Sequence, residues 1–147
     1  MTAVDVLTEI VIERPRHYVA AYVSDPGNST QWYVNIKAVQ WKTPKSAIPG
    51  SRVEFIAQFL GRTLTYTYEV TEWVPDERFV MWTAEGPFPM ETTYAWADSA
   101  DGNTRMTLRN RGEPSGFSRM TAPIVAMAMR RANTKDLARL KAILEAS

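Results

Sequence analysis

The chain has no cysteine among its 147 residues, which excludes disulfides, a thiol nucleophile and any thiolate metal site. It has a single histidine, so a zinc centre lacks its usual ligands, and no metal or other cofactor is expected. The formal net charge is only +1, which argues against a nucleic-acid binder of the strongly basic kind. The N-terminal stretch MTAVDVLTEIVIERP has no basic start and carries acids inside its apolar run. It reads as neither a signal peptide nor an integral membrane segment. Internal repeats and low-complexity tracts are absent, and the length suits a single domain over residues 1–147. The lack of cysteine fits a cytoplasmic location, which is the expected one.

Aromatic residues are plentiful, with five tryptophans in a small chain, so many of them must line one interior. The segment from Ser115 to Ser147 is the only long one with good helix formers and no strand alternation. Pro123, Ala126, Met129, Asn133, Leu137, Leu140 and Leu144 follow three-and-four spacing and share one helix face. Leu137, Leu140, Ile143 and Leu144 form an aliphatic anchor, with Lys135, Arg139 and Lys141 on a solvated side. Met120, Ile124, Val125, Met127 and Met129 make the first half apolar nearly all round, so that half is expected to hide more than one face.

Before this helix, apolar and polar residues alternate with the period of strands. Val4, Val6, Ile10 and Ile12 share one phase of a first strand. Arg14-Pro15 ends it, and a short helix over Arg16–Val23 follows, with Tyr18, Val19 and Tyr22 on one side. A turn cluster at 24–28 leads to a second helical turn closing at Trp32-Tyr33. Strand character returns at Val34 to Thr43. The next strand turns Val53, Phe55, Ala57 and Phe59 one way, and a hairpin turn falls at Gly61-Arg62. Leu64, Tyr66, Tyr68 and Val70 then alternate with threonines and Glu69. Phe79, Met81 and Thr83 are read as inner on the following strand, which leaves the side of Trp82 open. Thr92, Tyr94 and Trp96 are inner on the next, and Met106, Leu108 and Asn110 on the last, after a turn with Asp101-Gly102 at its tip. Residues 86–89 form a rigid loop, and 112–116 link to the final helix. The order predicts an α+β fold: about seven antiparallel strands in a curved sheet around a long C-terminal helix, with two short helices after the first strand.

Several segments resemble one superfamily. Ile12-Glu13-Arg14-Pro15 with Val19 is similar to its first-strand exit, and Asp25 followed by Trp32 to its Asp-then-Trp segment. Pro49-Gly50-Ser51 before Val53 resembles the glycine that opens its third strand. Residues 69–79 resemble its Val-x-Glu-x-x-Pro-x-x-x-Leu hairpin, with Phe79 for the final Leu. Residues 102–107 resemble its Gly-x-Thr-x-Val-Thr strand start, with Met106 for Val. Residues 136–145 resemble the end of its last helix. On these motifs, in this order, the chain resembles the START-like (SRPBCC) superfamily, and within it the polyketide cyclase/dehydrase type. The resemblance implies a helix-grip fold. It also implies either carriage of hydrophobic molecules such as lipids, sterols, hormones or quinones, or cyclisation of polyketide chains. The fold does not choose among these.

The expected ligand is a hydrophobic or aromatic small molecule held in a cavity between sheet and helix. Tyr66, Tyr68, Tyr94 and Asn110 are the candidates to orient it, together with Thr83 and Asn133. Each buried polar tip needs a partner, which is water, another of these side chains or an oxygen of the ligand. Phe55, Phe59, Phe79, Met81, Trp96 and Met129 are the candidate walls. A rival reading is a cyclase or dehydratase using Tyr66 or Tyr68 as proton donor or Glu85 as base. Glu85 and Glu91 flank the 86–89 loop and read chiefly as rim residues, and His17 as an exposed helix-start residue. A third reading makes the Met-rich half of the helix a protein-binding surface or a homodimer contact, and Arg119, Arg130 and Arg131 a membrane-docking set.

Overall fold

The computed structural model describes residues 4–45, 48–85, 89–112 and 122–147. Strand β1 (Val4–Ile12) leads into helix α1 (Arg16–Val23), a 3₁₀ turn at Pro26–Asn28 and the short helix α2 (Ser29–Trp32). Six strands follow: β2 (Ile36–Trp41), β3 (Arg52–Phe59), β4 (Arg62–Val74), β5 (Arg78–Glu85), β6 (Met90–Asp98) and β7 (Thr104–Gly112). Helix α3 (Ala122–Glu145) closes the described chain. All seven strands join one antiparallel sheet in the order β1-β7-β6-β5-β4-β3-β2. β1 and β2 are its two edges, so the sheet stays open. Register shifts at Thr67/Tyr68 and Val70/Glu72 mark two irregularities in the long strand β4. Such bulges bend a strand and strengthen its twist.

The strand phases are those expected. Val4, Val6 and Ile12 are buried, whereas Leu7 and Val11 on the opposite face of β1 are exposed. Trp82 faces outward and Phe79, Met81 and Thr83 inward. The β3–β4 hairpin sits one residue earlier than expected. Phe59 pairs with Arg62, so the turn residues are Leu60 and Gly61, both with positive φ (51° and 75°). A two-residue loop of this kind matches the right-handed twist of its strands. Residue 60 is an unusual place for a leucine, because a Cβ disfavours that region. On α1, Val19, Ala20 and Val23 are buried while Tyr18 points out, so the inner side is one residue round from the predicted one. On the water side of the sheet, Arg109 grips Asp5 with two hydrogen bonds (2.9 and 2.6 Å), and Arg111 meets Glu91 at 3.3 Å. These exposed pairs fix little stability.

Helix α3 meets the sheet in two places. Its second half inserts Leu137, Leu140 and Leu144 into the main core, with Ile12, Val19, Trp32, Val53, Val70, Phe79, Trp96, Met106 and Leu108. Its first half touches a small separate cluster of Val4, Val6 and Val125, flanked by Phe59, Ala126 and Met129. Pro123, Ile124 and Met127 are exposed. The first half therefore hides one stripe rather than several, contrary to the expectation from its all-round apolar character. Met120 and Arg119 lie outside the described residues, as do most of the 86–89 loop and of the 112–116 link.

The end of α3 is laced to the end of β1. Glu13 N–H donates to Glu145 Oε2 (2.8 Å), Lys141 Nζ to Val11 O (2.9 Å), and Arg14 to the carbonyls of Glu145 and Ser147 (2.5 and 2.8 Å). Higher up, Asp136 Oδ1 accepts the N–H of Val34, pinning the chain between α2 and β2 to the helix at 2.9 Å. Asp136 is 2% exposed. Burial pushes its carboxyl up to about 6, against the opposing pull of the Val34 N–H and the Arg139 guanidinium.

Leu140 is fully buried. Leu140→Ala is expected to cost about 2–5 kcal/mol in urea unfolding, whereas Met127→Ala on the exposed side should stay within about 0.5 kcal/mol. Asp136 also makes stability pH-dependent. Its folded-state pKa lies above the ordinary value of 3.8, so its favourable contribution is complete below that value and is lost as pH rises through about 6. Between about pH 4 and pH 7 the wild type should lose up to about 3 kcal/mol relative to Asp136→Asn, which keeps the acceptor for Val34 but has no proton to release.

Candidate functional site

Sheet and helix do not close on one another between the two hydrophobic clusters. They leave between them a partly open cavity of about 130 Å³. Its floor comes from alternate residues of five neighbouring strands: Phe55, Ala57 and Phe59 on β3, Tyr66 and Tyr68 on β4, Met81 on β5, Met90, Thr92 and Tyr94 on β6, and Asn110 on β7. A period of two places each set on the concave face. Its roof is the middle of α3, through Met129, Ala132, Asn133 and Asp136, where the three-and-four spacing presents one stripe. Tyr33 and Asn35, between α2 and β2, and Ile36 at the start of β2 close one side.

The lining is apolar with a chain of polar tips. The hydroxyls of Tyr33 and Tyr94 share a hydrogen bond of 2.6 Å. Thr92 Oγ1 donates to Asn110 Oδ1 at 2.9 Å and lies 3.4 Å from the Tyr68 hydroxyl. The Tyr66 and Tyr68 rings sit 5.9 Å apart, and Phe55 meets Tyr68 edge-on at 5.6 Å. Asn133 Nδ2 is buried with no hydrogen-bond partner among the described residues. Burial raises the pKa of Tyr33, Tyr66, Tyr68 and Tyr94 alike. Neighbouring phenols raise Tyr33 and Tyr66 further, while hydrogen bonds from its neighbours partly offset the rise for Tyr68 and Tyr94. These phenols are neutral hydrogen-bonding groups at ordinary pH and weak acids. The most readily ionised group on the wall is Asp136.

The structure brings Phe55, Phe59, Tyr66, Tyr68, Met81, Tyr94, Asn110, Met129 and Asn133 into this one lining. Phe79 and Trp96 are buried instead in the main core and do not reach it. They share the inner phase but lie toward the end of the sheet that the core fills. Thr83 is buried and donates to Met90 O at 2.9 Å, so its hydroxyl is used within the fold. Glu85 is exposed at the end of β5 and does not line the cavity, and Glu91 is held by Arg111. His17 is exposed on α1. Tyr33, Met90, Thr92 and Asp136 are lining residues that were not singled out as site residues. Thr92 was already in phase with Tyr94, and Asp136 sits three residues after Asn133 on the buried stripe. Among the described residues no three His, Asp or Glu side chains converge as a metal would need, and no helix is long and apolar enough to cross a membrane.

Comparison with known proteins agrees with this architecture. A solved structure of TTHA0849 from Thermus thermophilus superposes with a TM-score of 0.83 at 19% identity, covering 97% of each chain. A START superfamily protein from Mycobacterium smegmatis gives 0.83 at 14% identity, over 96% of this chain and 97% of that one. The Zhui aromatase/cyclase from Streptomyces sp. R1128 gives 0.82 at 13% identity, over 98% and 94%. At these identities the likeness establishes the helix-grip fold alone. No curated protein matches the chain in sequence. The profile of one family matches residues 3–145, almost the whole length. The chain belongs to the polyketide cyclase/dehydrase and lipid transport family.

Proposed function

We propose that the protein binds a small hydrophobic or aromatic molecule in the cavity beneath α3. The observation that carries this reading is the cavity itself: an apolar space of about 130 Å³ with several polar tips turned onto one wall. An engineered cavity of about 150 Å³ stays dry and takes benzene, so this volume encloses about one ring. Anything longer must leave through the mouth or shift the start of α3. Burying roughly 200 Å² of apolar ligand surface contributes about 5 kcal/mol before ordering costs. That alone gives weak binding, so the polar tips decide which ligand is held.

A second reading, a cyclase or dehydratase, is favoured by one specific observation. Asp136 is a buried carboxyl on the cavity wall whose pKa is pushed up to about 6. It is a base of useful strength near neutral pH, suited to taking a proton from a carbon beside a carbonyl of a molecule held in the cavity. Glu85, Tyr66 and Tyr68 are less suited, the first by exposure and the others by their raised pKa.

Native mass spectrometry of the freshly purified protein, followed by solvent extraction, should show a bound species that leaves on denaturation. Ala132→Phe, which puts a ring into the cavity from the helix, should cut uptake of small aromatics at least about tenfold while the protein still folds. A clean mass, with no uptake from a mixed hydrophobic panel, would overturn the binding reading. Catalysis would appear as turnover of a poly-β-ketone whose rate rises with pH through about 6 and falls about a hundredfold or more in Asp136→Asn.

A further inference from the structure

The two most deeply buried polar side chains of the helix roof are also the two whose hydrogen bonds are incomplete. Asn133 is 5% exposed, and its amide makes no hydrogen bond among the described residues. Asp136 is 2% exposed; its Oδ1 is taken by the Val34 N–H, and its Oδ2 has no hydrogen-bond partner among the described residues. Other polar tips have partners: the Tyr33 and Tyr94 hydroxyls hydrogen-bond one another, and Asn110 Oδ1 accepts from Thr92. Native proteins seldom leave a buried donor unmet, because its desolvation is then uncompensated. Residues three apart on a helix are neighbours on one face, with Cβ atoms about 5–6 Å apart. A buried unmet donor, Asn133 Nδ2, and a carboxyl group with one oxygen free of protein partners are therefore neighbours on the cavity roof, over an apolar space that holds about one ring.

We propose that the cavity selects a single aromatic ring bearing a carbonyl and, meta to it, a hydroxyl. Asn133 Nδ2 donates to the carbonyl oxygen, and the hydroxyl donates to the free oxygen of the Asp136 carboxylate. The ring lies among Tyr68, Met81 and Met129. Meta placement holds the two oxygens about 5–6 Å apart, about the spacing of the two Cβ atoms. In an ortho pair the hydroxyl would bond to its own carbonyl and meet neither. This assignment rests on the binding reading above and gives it a ligand class.

The test is calorimetric titration of the wild type near neutral pH with three probes: meta-hydroxyacetophenone, meta-methoxyacetophenone and ethylbenzene. The hydroxyketone should bind at least about tenfold more tightly than either of the others. Asp136→Asn preserves the acceptor for Val34 and offers the ligand a donor instead, so it should reverse the order of the hydroxy and methoxy ketones. Asn133→Leu, similar in size, should bring the hydroxyketone to within about threefold of ethylbenzene. If the wild type binds ethylbenzene as tightly as the hydroxyketone, the proposal fails and the binding reading stands. Should none of the three bind, the proposal fails, and native mass spectrometry with the mixed hydrophobic panel decides the binding reading separately. A preference that survives both substitutions would overturn the assignment to these two residues. The wild-type comparison decides the matter even where a variant does not fold.

Discussion

One helix has to cover a face that is too wide for it. Seven strands spaced about 4.8 Å apart make a sheet much broader than a helix, which is about 10 Å across with its side chains. Everything else answers that mismatch. The bends in β4 draw the sheet around α3, and α1 and α2 fill one end of the concave face with Val19, Val23 and Trp32. Where neither device reaches, a void remains under the middle of α3. The cavity is thus the remainder of a packing problem, and its position follows from where the leucines of α3 stop.

That stopping point is visible along the helix. Leu137, Leu140 and Leu144 belong to the main core, and Val125 to the small cluster beside Val4 and Val6. Between them the inward stripe switches to Met129, Ala132, Asn133 and Asp136: one adaptable residue, one small one and two polar ones. Leucines in those places would have extended the core. Polar groups there cost desolvation, part of which is recovered by the Val34 hydrogen bond. The same desolvation makes Asp136 a late-ionising carboxyl, so structure and acid–base character have a single cause.

The fold was legible because a two-residue period fixes which way a strand side chain points, and seven strands repeated the signal. Phase alone correctly brought Tyr66, Tyr68, Tyr94 and Asn110 together on one wall. It also overreached with Phe79 and Trp96, because phase reports the face and not the height along the strand. Tyr33 escaped notice because it lies where a short helix passes into a strand and no periodicity applies. Asp136 escaped for another reason: a carboxylate on a helix is ordinarily solvated, and only its place three residues after Asn133 marked it as inward. The first half of α3 misled in the opposite direction, since Ile124 and Met127 are apolar and nonetheless exposed. Apolar composition states what a residue can bury, and the available partners decide whether it does.

The unequal anchoring of α3 has an energetic consequence. Three fully buried leucines and a lattice of hydrogen bonds to β1 hold its last turns, while among the described residues Ala122, Val125 and two flanking side chains hold its first. Opening free energies within one protein range from near zero up to the global value, and they follow buried contact. The two ends of this helix therefore belong to different units of local unfolding, with the cavity at their border. A guest that touches Met129 on one side and Asp136 on the other bridges the two units. Part of its binding free energy is then stored as protection of the helix start against fraying, and any change that loosens those first turns weakens the guest without touching it.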